Sequence, residues 1–266
     1  VNSESTDSIH KTLGNDGSPI SAYASHPLTR KFAIARFDGA VEIHTSVNVP
    51  YEILMHEKQV EVTCLSWNPA LPNRLAVGCK NGIILWHLGE ISVARLFPCE
   101  TTTTMSWSPF GDYLASGSVY SNTVHVWDIS RSLSSQITRP GNTGLLLWSP
   151  DGNQLLQTTI GGVFRVWETK TWTCERWATP TGSKCQAACW SCTGQVLLLA
   201  VAGISFIFSL QFQDTSNSAL YPVFDTAMVD IEGSEHIGGE VHAMAWDDTN
   251  ERLAVSFTSV LLHLFC

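Results

Sequence analysis

Charge is scarce in this chain. Only 15% of its 266 residues are charged, the formal balance is −9, and no run of Lys or Arg occurs. Nucleic-acid backbones and anionic membrane surfaces are bound through clustered positive charge, so neither is expected as a direct partner. Cysteine is also sparse. Eight thiols are too few for a disulfide scaffold, and most sit in apolar contexts such as "VTCLSW" and "AACWSC". Buried thiols in a reducing compartment are the expectation. No helical period is evident, and no apolar run reaches the roughly 20 residues that a spanning helix needs. The most apolar stretch, Val196–Leu210, is broken by Gly203 and two serines, which predicts two buried strands joined at that glycine. The opening "VNSESTDSIH" has neither the basic start nor the apolar stretch of a secretion signal. It begins with Val1 and not Met, so a piece of a longer chain is expected.

Catalytic signatures are missing as well. No G-x-S-x-G, P-loop or G-x-G-x-x-G occurs, and none of the nine histidines forms H-E-x-x-H. His125 and His263 fall inside strand patterns and are expected as packed residues. Acidic residues are spread singly over turns, with no pair marked as general acid and base. Cys185, Cys189 and Cys192 form C-x3-C-x2-C, a spacing that in radical enzymes using S-adenosylmethionine holds an iron–sulfur cluster. However, strand alternation sends Cys189 to the face opposite its neighbour Trp190. No catalytic residue, metal site or cofactor is therefore predicted.

What the chain has in abundance is apolar residues, at 44%, enough for a sizeable core. It also has ten tryptophans in a repeat. Trp67, Trp107, Trp148, Trp190 and Trp246 each open a similar unit, at steps of 40, 41, 42 and 56 residues, with Ser25 in the equivalent place 42 residues before Trp67. A second aromatic follows 18–20 residues later: Trp86, Trp127, Trp167, Phe208 and Phe265, with His44 in the first unit. Each unit reads strand, turn, strand, turn, strand. The first turn is rich in Pro, Gly, Asp and Asn ("SPFGD", "SPDGN", "NPALPN"), and the second carries hairpin dipeptides such as Asp38-Gly39 and Asn81-Gly82. Strands such as "GIILW" are apolar on both faces, as a sheet packed between two others requires. A period of about 40–45 residues with four short strands per unit marks propeller blades. The expected fold is all-β: a propeller of six recognisable blades over residues 21–266, preceded by a segment 1–20.

These units resemble the WD-repeat family, with Trp127-Asp128 as the one literal Trp-Asp pair. The Gly-His dipeptide that usually opens such repeats is absent, so the family's buried polar networks are expected to be incomplete. Within that family, "LLWSPDGNQLL", "GGVFRVWE", "TWTCERW" and "IGGEVHAMAWD" with "ERLAV" are similar to the aladin family of WD-repeat nucleoporins, from about His26 onward. The resemblance implies a non-enzymatic scaffold of the nuclear pore complex at the nuclear envelope. It implies other nucleoporins as partners, including a transmembrane nucleoporin of the membrane ring, with membrane association indirect. The implied role is support of nucleocytoplasmic transport of protein and mRNA. It also implies a further blade, so the six units are expected to form an open arc of a seven-bladed ring. The alternative is a six-bladed ring closed by residues about 9 to 20 as a missing outer strand.

Two features bear on partner contacts. The 56-residue step leaves about 14 extra residues within 211–240, expected as a surface insertion. Its Tyr221, Phe224 and Met228 among acidic residues suit an apolar contact with a polar rim. Trp167, Trp172 and Trp177 lie five apart. Trp167 is a repeat aromatic, and "TWTCERW" reads as its unit's outermost strand, with one Trp on each face. Trp177, near the strand end, is the member of this cluster named as a partner contact. Two other functions compete with a scaffold. A propeller enzyme would need convergent acidic, Arg or metal-binding residues at the channel, which the sequence does not identify. An RNA-binding propeller would conflict with the net charge.

Overall fold

The computed structural model describes residues 19–45, 52–212, 219–227, 229–231, 235–258 and 260–265. Every regular element among them is a strand. The first sheet is β1 (Ile20–Ser25), β2 (Phe32–Arg36), β3 (Val41–His44) and β4 (Glu52–Leu54). The second is β5 (Cys64–Trp67), β6 (Arg74–Cys79), β7 (Gly82–His87) and β8 (Val93–Pro98). The third is β9 (Thr104–Trp107), β10 (Tyr113–Gly117), β11 (Thr123–Asp128) and β12 (Leu133–Thr138). The fourth is β13 (Thr143–Trp148), β14 (Gln154–Thr159), β15 (Val163–Glu168) and β16 (Thr173–Ala178). The fifth is β17 (Cys185–Trp190), β18 (Val196–Val201), β19 (Phe206–Gln211) and β20 (Tyr221–Asp225). A hairpin, β21 (Val229–Ile231) and β22 (Glu235–Ile237), precedes a three-stranded sixth sheet of β23 (Val241–Trp246), β24 (Leu253–Phe257) and β25 (Val260–Phe265).

Each sheet is an antiparallel meander in chain order. The first strands pack in sequence, β1 against β5, β5 against β9, then β13, β17 and β23, so they form the inner wall of a ring. Among the described residues no comparable packing joins β23 back to β1. The described strands therefore form an arc with a gap between the sixth sheet and the first. Closure by residues about 9 to 20 falls mostly outside the described residues, and Ile20 opens an innermost strand.

The third strands are buried on both faces: in Gly82–His87 only His87 is exposed. The fourth strands are largely exposed, as in "LSSQIT" of β12 and "YPVFD" of β20. This gradient is what sheets stacked radially demand. The stretch Val196–Leu210 folds as β18 and β19, joined at Gly203 with φ +76°.

The repeat aromatics form cross-strand rows. Trp67 pairs with Leu75 and Leu75 with Trp86, as Trp107–Leu114–Trp127 and Trp148–Leu155–Trp167 do in the next two sheets. Each row packs onto the preceding sheet. In the fifth sheet the partner of Leu197 is Leu210, not Phe208. Phe208 pairs instead with Leu199 and Pro222. The row position therefore belongs to Leu210, fully buried, which follows Trp190 by 20 residues just as Trp127 follows Trp107 in the third sheet. Trp246, Leu253 and Phe265 share the corresponding register in the sixth sheet.

The third-strand indoles are satisfied by substitutes for the expected networks. Trp86 Nε1 donates to Gln59 Oε1 at 2.9 Å, Trp127 Nε1 to Ser116 Oγ at 2.9 Å, and Trp167 Nε1 to Gln157 Oε1 at 3.0 Å. A buried indole N–H needs such a partner.

The residue after each leading position holds the first turn. Asn68 Oδ1 accepts the N–H groups of Ala70 and Leu71, the hydroxyls of Ser108, Ser149 and Ser191 accept from Tyr113, Gln154 and Val196, and Asp247 Oδ1 accepts from Glu251 and Arg252. In the first sheet His26 takes the role, its Nδ1 accepting from Leu28 and Thr29 at 3.0 and 3.2 Å. Short polar side chains mimic a backbone turn in this way.

Candidate interaction surfaces

The tryptophan cluster divides between two sheet interfaces. Trp167 is 2% exposed and packs toward the third sheet. Trp172 lies just before β16 rather than in it, correcting the sequence reading. Its φ of 54° and the bond from its N–H to Glu168 O close the turn. Its ring meets Trp148 edge-on at 6.2 Å. Trp177 stacks on Phe164 at 5.6 Å and meets Phe212 edge-on at 6.4 Å, between the fourth and fifth sheets. It is half-buried by these contacts.

Tyr221 and Phe224 lie elsewhere than on a loop. They belong to β20, the outermost strand of the fifth sheet, hydrogen-bonded to β19. The excursion proper is the shorter 226–240, which carries the β21–β22 hairpin. All five β20 residues are exposed, Tyr221 at 57% and Phe224 at 52%. Met228 lies outside the described residues. An edge strand with exposed aromatics offers rigid apolar anchors beside unpaired backbone groups.

A second surface escaped sequence reading. Between the third and fourth sheets, on the rim of the first turns, runs a groove of about 760 Å³ lined by Phe110, Tyr113, Leu133, Trp148 and Trp172. Phe110 is 70% exposed. The available signal was its place in "SPFGDY", an aromatic in a turn that otherwise prefers polar residues. Three carboxylates, Asp112, Asp128 and Asp151, border this groove, and the last two accept hydrogen bonds within turns. Asp128 accepts from Arg131 N–H and Ser130 Oγ, which hold its carboxyl below the usual range. Burial alone would raise Asp151, but hydrogen bonds from Ser149 and Asn153 outweigh it and lower its pKa. Neither is set up as a general acid.

The C-x3-C-x2-C cysteines are dispersed. Cys189 packs toward the sixth sheet while Trp190 packs toward the fourth. Burial pushes the Cys185 and Cys189 thiols up to about 12, and Cys192 is exposed beside Asn250. Among the described residues no group of three or more His, Cys, Asp or Glu is placed to hold a metal ion, and no helix is long and apolar enough to cross a membrane.

Radial antiparallel sheets, with an aromatic row in each seated on the sheet before it, define a β-propeller of WD-repeat type. The chain belongs to the aladin family: the model described as the Aladin seven-bladed propeller matches residues 1–265. It is 31% identical to Aladin of Arabidopsis thaliana over 238 residues, 77% of this chain and 52% of that protein. It thus spans about half the length of that relative. Coronin-7 of Bos taurus is 28% identical over 156 residues, 53% of this chain and 17% of that protein. Among solved structures, a chain of the mitotic checkpoint complex superposes with a TM-score of 0.75 at 16% identity, covering 94% of this chain and 75% of its own. The Myceliophteria thermophila Cps50 (Swd1) propeller domain gives 0.67 at 13%, covering 89% and 79%. At these identities the structures share the fold alone.

Proposed function

We propose that this propeller is a non-enzymatic scaffold subunit of the nuclear pore complex, tethered at the membrane ring of the nuclear envelope by a transmembrane nucleoporin. In this reading it supports nucleocytoplasmic transport of protein and mRNA through contacts with other nucleoporins, and reaches the membrane only through them. The observation that carries it is the aladin-family match along residues 1–265. Geometry supports the scaffold part: a stack of packed sheets holds exposed aromatics on β20, and binding residues concentrate where a rigid scaffold presents them. Tyr221, Phe224, the neighbouring Met228 and the end of β16 at Trp177 are the assigned contact region.

Proximity labelling from the full-length protein in cells tests this reading. Pore components, including a membrane-spanning one, should dominate the recovered set. Recovery of no pore proteins would refute it. The pair Tyr221→Ser and Phe224→Ser should cut recovery of at least one component several-fold while the protein remains folded.

A further inference from the structure

The chain is acidic overall, yet three arginines converge without a carboxylate among them. Arg139 follows β12, Arg165 lies in β15 and Arg176 in β16, and they line one open cleft of about 750 Å³ between the third and fourth sheets. The other lining residues include Asn142, Thr159, Ile160 and Gly161, and no Asp or Glu. This cleft lies on the rim opposite the aromatic groove.

Arg165 is the unusual member. It is 5% exposed, its Nη2 donates to the Pro140 carbonyl at 2.8 Å, and its Nη1 is buried with no hydrogen-bond partner. Arg176 stands directly opposite it in the β15–β16 register, a like-charge pair that by itself destabilises a sheet. Arg139 is exposed, with its guanidinium 5.4 Å from the Trp167 ring and its Nη1 on Thr138 O. Burial lowers the Arg165 pKa, and the charges of Arg176 and Arg139 lower it further, although an Arg stays charged. None of the three forms an ion pair among the described residues. The same fold handles its other buried arginine differently: Arg36 meets Glu42 at 2.7 Å, with both side chains buried. An unpaired buried cation with two more at its rim is costly unless something anionic completes it.

We propose that this cleft binds a small ligand carrying two or more phosphate groups, with Arg139 and Arg176 as its exposed forks and Arg165 as the fixed charge at its floor. Guanidinium groups match phosphate oxygens in bidentate geometry. The volume falls in the range of small-molecule sites, about 300–1,000 Å³, and exceeds what a single oxyanion fills. Three uncompensated charges call for more than one phosphate. Such a ligand is either a soluble polyphosphorylated polyol or the headgroup of a phosphorylated inositol lipid.

The test uses the full-length protein at about 150 mM salt, where loose surface electrostatics is screened. Inositol hexakisphosphate is titrated by calorimetry, and vesicles containing 5 mol% phosphatidylinositol 4,5-bisphosphate are assayed by flotation. Three variants are compared. Arg176→Glu changes an exposed side chain. Gly161→Glu adds a carboxylate where a Cβ meets nothing within 4 Å. Arg131→Glu makes the same charge change as the first, on the opposite rim. Micromolar binding of the soluble probe, weakened at least 10-fold by the first two variants and less than 2-fold by Arg131→Glu, is the expected result. Flotation lost in the same two variants, without soluble binding, would assign the lipid source. No binding of either probe, or equal loss in all three variants, overturns the proposal.

Discussion

Trp107 donates its indole N–H to the backbone carbonyl of Ser66 in the preceding sheet, at 3.1 Å. Trp67 does the same to Ala24 and Trp190 to Leu147, each at 3.1 Å. The acceptor is each time the residue before the equivalent leading position one sheet earlier. A 40-residue repeat thus becomes a chain of inter-sheet hydrogen bonds along the inner wall. Trp148 breaks the series: its Nε1 is buried without a partner, while its backbone N–H takes Ser106 Oγ at 2.9 Å.

This difference should be measurable. Trp107→Phe keeps an aromatic ring and leaves the Ser66 carbonyl unpaired, an expected cost of about 1–2 kcal/mol beyond the lost volume. Trp148→Phe removes an N–H that has no partner, so its cost should be about 1 kcal/mol smaller. Urea denaturation of both variants checks the order, and equal midpoints would contradict it.

Gln157 is fully buried and serves two neighbours, accepting from Trp167 Nε1 at 3.0 Å and donating to Thr143 Oγ1 at 3.1 Å. Gln157→Ala leaves both unpaired beside a cavity and should cost about 2–4 kcal/mol. Thermal unfolding should show a clear drop in Tm.

The two glycines of the Gly161-Gly162 hairpin should respond in opposite ways. At Gly162, φ is +72° and a Cβ would lie 2.2 Å from the Gly182 carbonyl oxygen. Gly162→Ala must therefore move two turns and should cost more than about 1 kcal/mol, the usual penalty of the wrong backbone conformation. Gly161→Ala meets open space and should be nearly neutral or slightly stabilising.

His26 should make stability depend on pH. Burial lowers its pKa, and the nearby charge of Lys31 lowers it further, against the opposing effect of the Asn68 backbone carbonyl, which favours a protonated ring. Its Nδ1 accepts two turn N–H groups, which requires that nitrogen to be unprotonated. Because the folded pKa lies below the unfolded value near 6.5, the unfolded chain takes the proton first, and stability falls as pH drops below about 6.5. His26→Asn copies the cap that Asn68 supplies in the next sheet and should flatten the Tm profile between pH 7 and 5.5.

Thiol labelling should separate the described cysteines. Burial pushes Cys79, Cys185 and Cys189 up to about 12, so thiolate is negligible at pH 8. Iodoacetamide should modify exposed Cys192 in the native protein and reach those three only after unfolding. Mass spectrometry of the labelled peptides reads this directly.

The sequence alone determined what repeats. Trp spacing, turn composition and two-faced apolar strands specified six sheets and the order of their strands, because each signal is local and recurs. The turn caps at Asn68, Ser108, Ser149, Ser191 and Asp247 were equally legible in hindsight, since each directly follows a leading Trp. Only tertiary structure decided what depends on register and on neighbours far apart in the chain. Strand register gave the row position to Leu210 rather than Phe208. A left-handed turn took Trp172 out of its strand, and Tyr221 and Phe224 became an outer strand of a sheet. The ring's curvature brought Arg139 of one sheet beside Arg165 and Arg176 of the next. Net charge had averaged that cluster away, because composition counts charges and only packing decides which of them meet.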